Sequence, residues 1–224
     1  MNHTNEKIAI IIPTRGDRPE FLRICKNLIH RQTIQPDEII FVDYPGRTGV
    51  KDITARYRKG LQEATARGCT IAFFWEDDDW YHPKYLEWML GEWRKIGKPN
   101  LFGISETYYY HIGEGRRLHM KHIGRASAFC TMVKLPFKMR VWPADTQPFL
   151  DMHMWKSVEG VAVRFTNPKE PYAIGIKHGI GLTGGGGHNK RFSKWENGDF
   201  TSWFKEVIGD DYQAYYSRIP GLCK

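Results

Sequence analysis

Long apolar runs are missing from this chain, and so are close cysteine pairs. Its four cysteines, Cys25, Cys69, Cys130 and Cys223, form no C-x-x-C or other close spacing. A disulfide framework and a zinc ribbon are therefore not expected, and thiols kept reduced inside a core are. The N-terminal stretch MNHTNEKIAIIIP has a polar start and a short apolar run before Pro13, too short for a membrane span and unlike a secretory leader. These features predict a cytoplasmic protein with no integral membrane association. The sequence also lacks a P-loop lysine, a G-x-G-x-x-G after the first strand, and zinc-finger, RRM and helix-turn-helix signatures.

The 224 residues present suit one domain with a substantial core, and 41% hydrophobic with 14% aromatic residues is too rich for disorder. Basic residues outnumber acidic ones by 33 to 25, a formal +8 that favours anionic partners without naming one.

Periodicity organises the first hundred residues. IAIII at 8–12 reads as a strand buried on both faces, and PEFLRICKNLIHRQ as an amphipathic helix entered through Pro19. IIFVD (39–43) is a second strand, Ile53 to Ala64 a second helix ending at Gly68, and TIAFFW (70–75) a third strand. Such βαβ steps predict a mostly parallel central sheet flanked by helices, with ligands bound beyond the C-terminal strand ends. Those ends carry Thr14, Arg15 and Asp17, then Asp43, then Glu76–Asp79. A further helix is expected over 82–97, short strands at LFGIS, YYYHI, AFCTMV, VAVRF and YAIGIK, a brief helix near Leu150–Trp155 and terminal helices over 200–216.

Three constellations carry chemistry. In FFWEDDDWY (73–81), adjacent carboxylates framed by Trp75, Trp80 and Tyr81 repel one another unless solvent or a cation intervenes, and a hard divalent cation would resolve the conflict. A solvated acidic loop capping the next helix is the plain alternative. TGGGGH (183–188) offers a row of backbone N–H groups able to wrap a diphosphate, with His178 and His188 beside it, or is simply a surface loop. Residues 111–145 hold seven Lys or Arg, among them Arg116, Arg117, Lys121 and Arg125, interleaved with aromatic residues and histidines. They suit a polyanionic acceptor, or form a solvated basic face.

Taken together, IIIPTRGDRPEFLRICKNLIHRQTIQPDEIIFVD and WEDDDWYHPKYLEWM resemble the GT-A glycosyltransferases of the family 2 type, well over residues 8–95 and in outline to 190. The resemblance implies a GT-A type fold in one domain: a nucleotide-binding half over 1–100, an acceptor-binding half over 101–190 and a helical tail over 191–224. It implies a hexosyltransferase using Mn²⁺ or Mg²⁺ and a nucleoside diphosphate sugar, a UDP-sugar foremost. Pro13, Thr14, Arg15, Asp43, Asp77, Asp78, Gly185, Gly186 and His188 would meet the nucleotide sugar. Glu76, Asp78, Asp79 and His178 would serve the metal. Asp151, in FLDMHMW, matches the family's late catalytic carboxylate, with Asp145 in reserve. Departures are DYPG where the family commonly has DDGS, Glu76 at the first acidic place, and Leu150 before Asp151. The basic region, with Arg116, Arg117, Lys121 and Arg125 as acceptor contacts, suits hydroxymethylated DNA, as in the DNA-modifying transferases of bacteriophages that the chain partly resembles. A non-catalytic nucleic-acid-binding protein and a metal-dependent nucleotidyltransferase are the competing readings.

Overall fold

The computed structural model describes residues 6–44, 51–165, 171–179 and 195–216. Its first element, β1 (Ile8–Pro13), is buried along its whole length and sorts its side chains by strict alternation. Ile8, Ile10 and Ile12 enter one core, whereas Ala9 and Ile11 enter another on the opposite face. A continuous β-branched run is what such a strand needs, because both faces are covered.

The flanking elements follow that division. Helix α1 (Pro19–His30) turns Phe21, Ile24, Cys25, Leu28 and Ile29 to the first core, with Pro at its first turn and Glu20 favourably placed near its positive end. Helix α2 (Ile53–Ala66) covers the second core through Tyr57, Leu61 and Ala64. Strands β2 (Glu38–Val42) and β3 (Ile71–Phe74) pair in parallel on either side of β1. After β3 come a two-residue strand β4 (Trp80–Tyr81), α3 (Tyr85–Lys95), β5 (Leu101–Ile104), β6 (Glu106–His111), β7 (Arg116–Lys121), β8 (Thr131–Lys134), α4 (Leu150–Ser157), β9 (Ala162–Phe165), β10 (Ala173–Lys177), α5 (Thr201–Ile208) and α6 (Asp211–Tyr216).

These strands make two sheets, in the orders β2-β1-β3-β8-β5-β9 and β4-β10-β6-β7. Both are mixed. In the first, β8 runs antiparallel to β3 and β5; in the second, β10 is parallel to β6 but antiparallel to β4, and β6 and β7 form an antiparallel pair. The expected GT-A type fold, with one mostly parallel central sheet, is thereby corrected. Parallel pairing is uninterrupted over β2, β1 and β3, where α1 and α2 provide crossovers; beyond β3 the antiparallel β8 breaks it, β5 and β9 pair in parallel again, and the chain opens a second sheet.

Smaller differences have local causes. The helix expected from residue 82 begins at Tyr85, because Trp80 and Tyr81 pair with Ile174 and Ala173 instead. Strand β7 was not anticipated, its charged sequence RRLHMK being typical of an edge. Cys25, Cys69 and Cys130 are buried free thiols, as expected, and Cys223 lies outside the described residues. Among the described residues, no helix is long and apolar enough to cross a membrane.

Helix α2 sits close on β1 because it carries Gly60: a Cβ there would lie 2.2 Å from Ile11 Cγ2. Gly91 in α3 has open space beside it. Gly60→Val is therefore expected to destabilise by about 2 kcal/mol through overpacking, whereas Gly91→Ala should gain about 0.5–1 kcal/mol of helix propensity. Urea denaturation of the two variants measures both, and equal effects would refute the close-approach account.

Candidate active site

The acidic run is the crossing from one sheet to the other. β3 ends at Phe74 in the first sheet and β4 begins at Trp80 in the second, so Trp75–Asp79 span the gap. Aromatic packing and backbone bonds fix this segment. Trp75 donates its N–H to the Ile11 carbonyl at 3.0 Å and stacks on Tyr81, ring centroids 3.6 Å apart. The Glu76 N–H donates to Tyr81 Oη at 2.9 Å, and the Ile176 N–H of β10 donates to Asp79 Oδ1 at 2.7 Å. Asp79 is thus held by the neighbouring strand and does not cap α3.

The four carboxylates face different partners. Asp77 and Asp78 meet the guanidinium of Arg18, whose Nη2 donates to Asp77 Oδ1 at 2.5 Å and whose Nη1 donates to Asp78 Oδ2. His178 Nε2 also donates to Asp78 Oδ2, at 2.9 Å, while its ring packs on Phe21. Glu76, Asp78 and Asp79 each place a ligand-capable oxygen within 4.8 Å of the others. Asp79 is 1% exposed and its Oδ2 has no hydrogen-bond partner, an orphaned buried oxygen of the kind a cation would satisfy. Acidic oxygens of this sort suit a hard divalent ion such as Mg²⁺ or Mn²⁺, so the donor set fits.

Electrostatics separates the group internally. Burial pushes Glu76 up to about 7, with the Asp78 charge adding to it. Burial raises Asp77 to about 6 against the pull of Arg18, and drives Asp79 well above the usual carboxylate range. Asp78 is held far below that range despite its burial, because Arg18 and His178 stabilise its charge. Lys177, 9% exposed at the end of β10, opposes the upward shifts of Glu76 and Asp79.

Two hollows adjoin the carboxylates. A cleft of about 600 Å³ is lined by Glu76, Asp78, Lys177, Asp151, Arg125 and His122, among others. Asp151 sits in the first turn of α4, is raised by burial and is paired with Arg125. His122 is pushed down to about 4 by burial and by the Arg125 charge, so it is neutral at ordinary pH. A smaller hollow of about 80 Å³ at the end of β1 is lined by Pro13, Thr14, Arg15, Arg18, Lys51 and Arg56, among others. There Asp52 accepts from Arg15 at 2.7 Å and from Arg56 at 2.8 Å, which holds its carboxyl down despite burial. Lys51, Ile53 and Pro148 line both hollows.

The structure brings Pro13, Thr14 and Arg15 to the smaller hollow, and Glu76, Asp78, Asp151 and Arg125 to the cleft. Asp77, Asp79 and His178 lie behind them, buried. Asp43 is exposed just past β2 and lines neither hollow, and Asp145 is exposed in a pair with Arg58 at 2.9 Å. Arg117 is engaged elsewhere. Its guanidinium pairs with Glu196 and lies over Phe200 and Trp203, 4.3 and 4.8 Å from the ring centroids. Arg116 and Lys121 are on the same edge strand, beside Glu114 and Glu106, outside the cleft lining. Gly185, Gly186 and His188 lie outside the described residues.

Sequence reasoning missed Arg18, Lys51, Asp52, Arg56 and Lys177. For Arg18 a signal existed: it directly precedes α1, beyond the first parallel strand's C-terminal end. For Lys177 no such signal existed, since alternation along a strand would turn it away from the side that His178 faces.

No protein-family model matches the sequence, and no curated protein sequence does. Solved structures do align with it. S. aureus TarS 1-349 in complex with UDP-GlcNAc aligns over 90% of this chain and 65% of its own, with a TM-score of 0.50 and 8% identity. S. aureus TarS aligns over 76% of this chain and 36% of its own (0.46, 12%), and A197 from STIV over 71% and 82% (0.45, 12%). The chain thus spans less than two thirds of the TarS chains. At these identities the likeness is one of fold, a fold that the TarS 1-349 structure shows together with a nucleotide sugar.

The raised carboxylates set a pH dependence. A folded chain that keeps protons on Glu76, Asp77 and Asp79 where the unfolded chain has lost them is stabilised at low pH, and that contribution disappears as pH rises through the folded values of about 6 and about 7. Asp78 acts in the opposite sense, but only below the ordinary carboxylate range. Between about pH 5 and about pH 8 the melting temperature of the metal-free protein should fall more steeply in wild type than in Glu76→Gln, and saturating Mg²⁺ or Mn²⁺ should flatten the wild-type slope. Superimposable profiles for the two proteins would refute the assignment.

Proposed function

We propose that the protein is a divalent-cation-dependent glycosyltransferase that moves a hexosyl group from a nucleoside diphosphate sugar, a UDP-sugar foremost, to an acceptor hydroxyl. The observation that carries this reading is the single cleft lined by Glu76, Asp78 and Asp151, adjoining the cationic hollow at Thr14 and Arg15. The fold shared with a TarS chain in complex with UDP-GlcNAc supports it. Kinship with family 2 enzymes, and with phage transferases that modify DNA, belongs to the proposal.

In this reading Thr14 and Arg15 border the nucleotide, and Glu76, Asp78 and Asp79 hold the cation, with His178 orienting Asp78. A bound divalent cation supplies positive charge against the departing diphosphate. Lys177, which lines the cleft, adds a second charge, and Gly185, Gly186 and His188 are further candidates for the diphosphate. Asp151 takes the proton of the acceptor hydroxyl as its oxygen bonds to the anomeric carbon and the bond to the diphosphate breaks. Direct displacement of this kind inverts the anomeric configuration. Arg125, paired with Asp151, keeps that carboxylate available as a base. For the acceptor, a hydroxymethylated base in DNA is the named candidate, with Arg125 beside the chemistry and Arg116 and Lys121 farther out along β7.

Thermal unfolding with nucleoside diphosphates and triphosphates, each with and without Mn²⁺, tests the donor site, because a ligand of the native state raises its stability by mass action. UDP should stabilise wild type only with Mn²⁺ and should fail to stabilise Asp78→Ala. Selective stabilisation by a triphosphate would favour nucleotidyl transfer instead. Asp151→Asn should lower turnover by about 10²-fold or more while leaving donor binding intact, and unchanged turnover would remove Asp151 from the reaction. Binding to duplex DNA that weakens steeply with salt would support the DNA acceptor; absence of binding at low salt would remove it.

A further inference from the structure

Arg18 lines the smaller hollow and pairs with Asp78, which lines the cleft. Its guanidinium forks across Asp77 Oδ1 and Asp78 Oδ2, and its Nη1 lies 3.2 Å from His178 Nε2. The same side chain lines the smaller hollow beside Thr14, Arg15 and Lys51. Its backbone is fixed, since the Arg18 carbonyl accepts the Leu22 N–H of α1 at 3.1 Å, so only the side chain is free to redirect its charge. Asp78 is shared: it belongs both to this ion pair and to the three-carboxylate group able to hold a metal.

A divalent cation arriving alone at Glu76, Asp78 and Asp79 therefore meets a resident positive charge on one of its ligands. Arg18's side chain is 17% exposed and that of Asp78 12%, so water screens the repulsion poorly. A diphosphate entering the smaller hollow presents oxygens that a guanidinium fork matches as well as it matches carboxylates. We propose that Arg18 is an internal counter-ion coupling the two ligands. It neutralises Asp77 and Asp78 while the site is empty, opposes a cation bound without nucleotide, and turns to the diphosphate when the nucleotide enters, leaving Asp78 to the cation. The coupling rests on the donor-site reading above; the counter-ion role does not.

Coupling between two ligands is reciprocal and typically about 5- to 150-fold. Mn²⁺ titration followed by electron paramagnetic resonance, with and without UDP, measures it directly and requires no turnover. Wild type should bind Mn²⁺ weakly alone and at least about tenfold more tightly with UDP. Arg18→Gln should bind Mn²⁺ alone about tenfold more tightly than wild type, and UDP should then improve it far less. Arg18→Lys keeps the charge and should resemble wild type with Mn²⁺ alone. The counter-ion role is overturned by unchanged or weaker Mn²⁺ binding in Arg18→Gln, or by equal tightening in Arg18→Lys. If Arg18→Gln fails to fold, Arg18→Lys and the wild-type linkage carry the test, and a wild type in which UDP leaves Mn²⁺ affinity unchanged overturns the coupling. Tightened Mn²⁺ binding in Arg18→Gln with no response to any nucleotide would uphold the counter-ion, overturn the coupling and remove the donor site with it.

Discussion

Four successive carboxylates carried from one sheet to another have to be neutralised inside the protein, and the surrounding structure is arranged around that need. Burying a charge is costly unless it is paired and hydrogen-bonded. Here the partners arrive from distant segments: Arg18 from the entry to α1, Lys177 and His178 from the end of β10, and the Ile176 N–H from within that strand. The compensation is incomplete, since Glu76, Asp77 and Asp79 are all pushed toward their protonated forms. A protein selected for stability alone would place hydrophobic residues here. That charge is kept at a strand end beside a cleft is what the proposed binding site rests on.

The neutralising partners also show where the chain's positive excess goes. Read from composition, +8 suggested a basic surface for a polyanion. In the folded chain Arg15 and Arg56 converge on Asp52, Arg18 is spent on Asp77 and Asp78, and Arg117 is enclosed by Glu196 and aromatic rings. Much of the charge singled out by sequence thus serves internal pairing. Arg125 is the member of the predicted basic set that lines the cleft, and there it faces a carboxylate.

What the sequence disclosed, it disclosed through periodicity. The continuous run of β1, the apolar stripes of α1 and α2, and the position of the acidic run at the end of β3 are local features, readable because each is written in consecutive residues. Asp151 was legible through a short motif on α4. The second sheet was not legible as a sheet, because β4 exists only through pairing with β10, about ninety residues later, and β7 carries the charges of an edge. Arg18 escaped notice for a related reason: an arginine before a helix looks like any polar residue until the fold brings Asp77 and Asp78 to it.

The sequence distance between these partners has a consequence for how the chain comes to be folded. Arg18 and Asp78 are 60 residues apart, Asp78 and His178 are 100 apart, and Trp80, whose indole N–H donates to Asp211 Oδ2, is 131 residues from that partner. Arg31 reaches the same carboxylate from α1, tying the last described helix to the first. Contacts closed over such distances form late, because the entropy of the intervening loops must be lost before any of them is rewarded. During vectorial synthesis the three parallel strands and their helices emerge well before β10 does. Until then the carboxylates after β3 have Arg18 but lack His178, Lys177 and the Ile176 amide, so the ribosome-bound first half presents an acidic end that is only partly neutralised. The neutralisation of the acidic run is completed by β10, the last described strand, so its completion reports that the two sheets have come together.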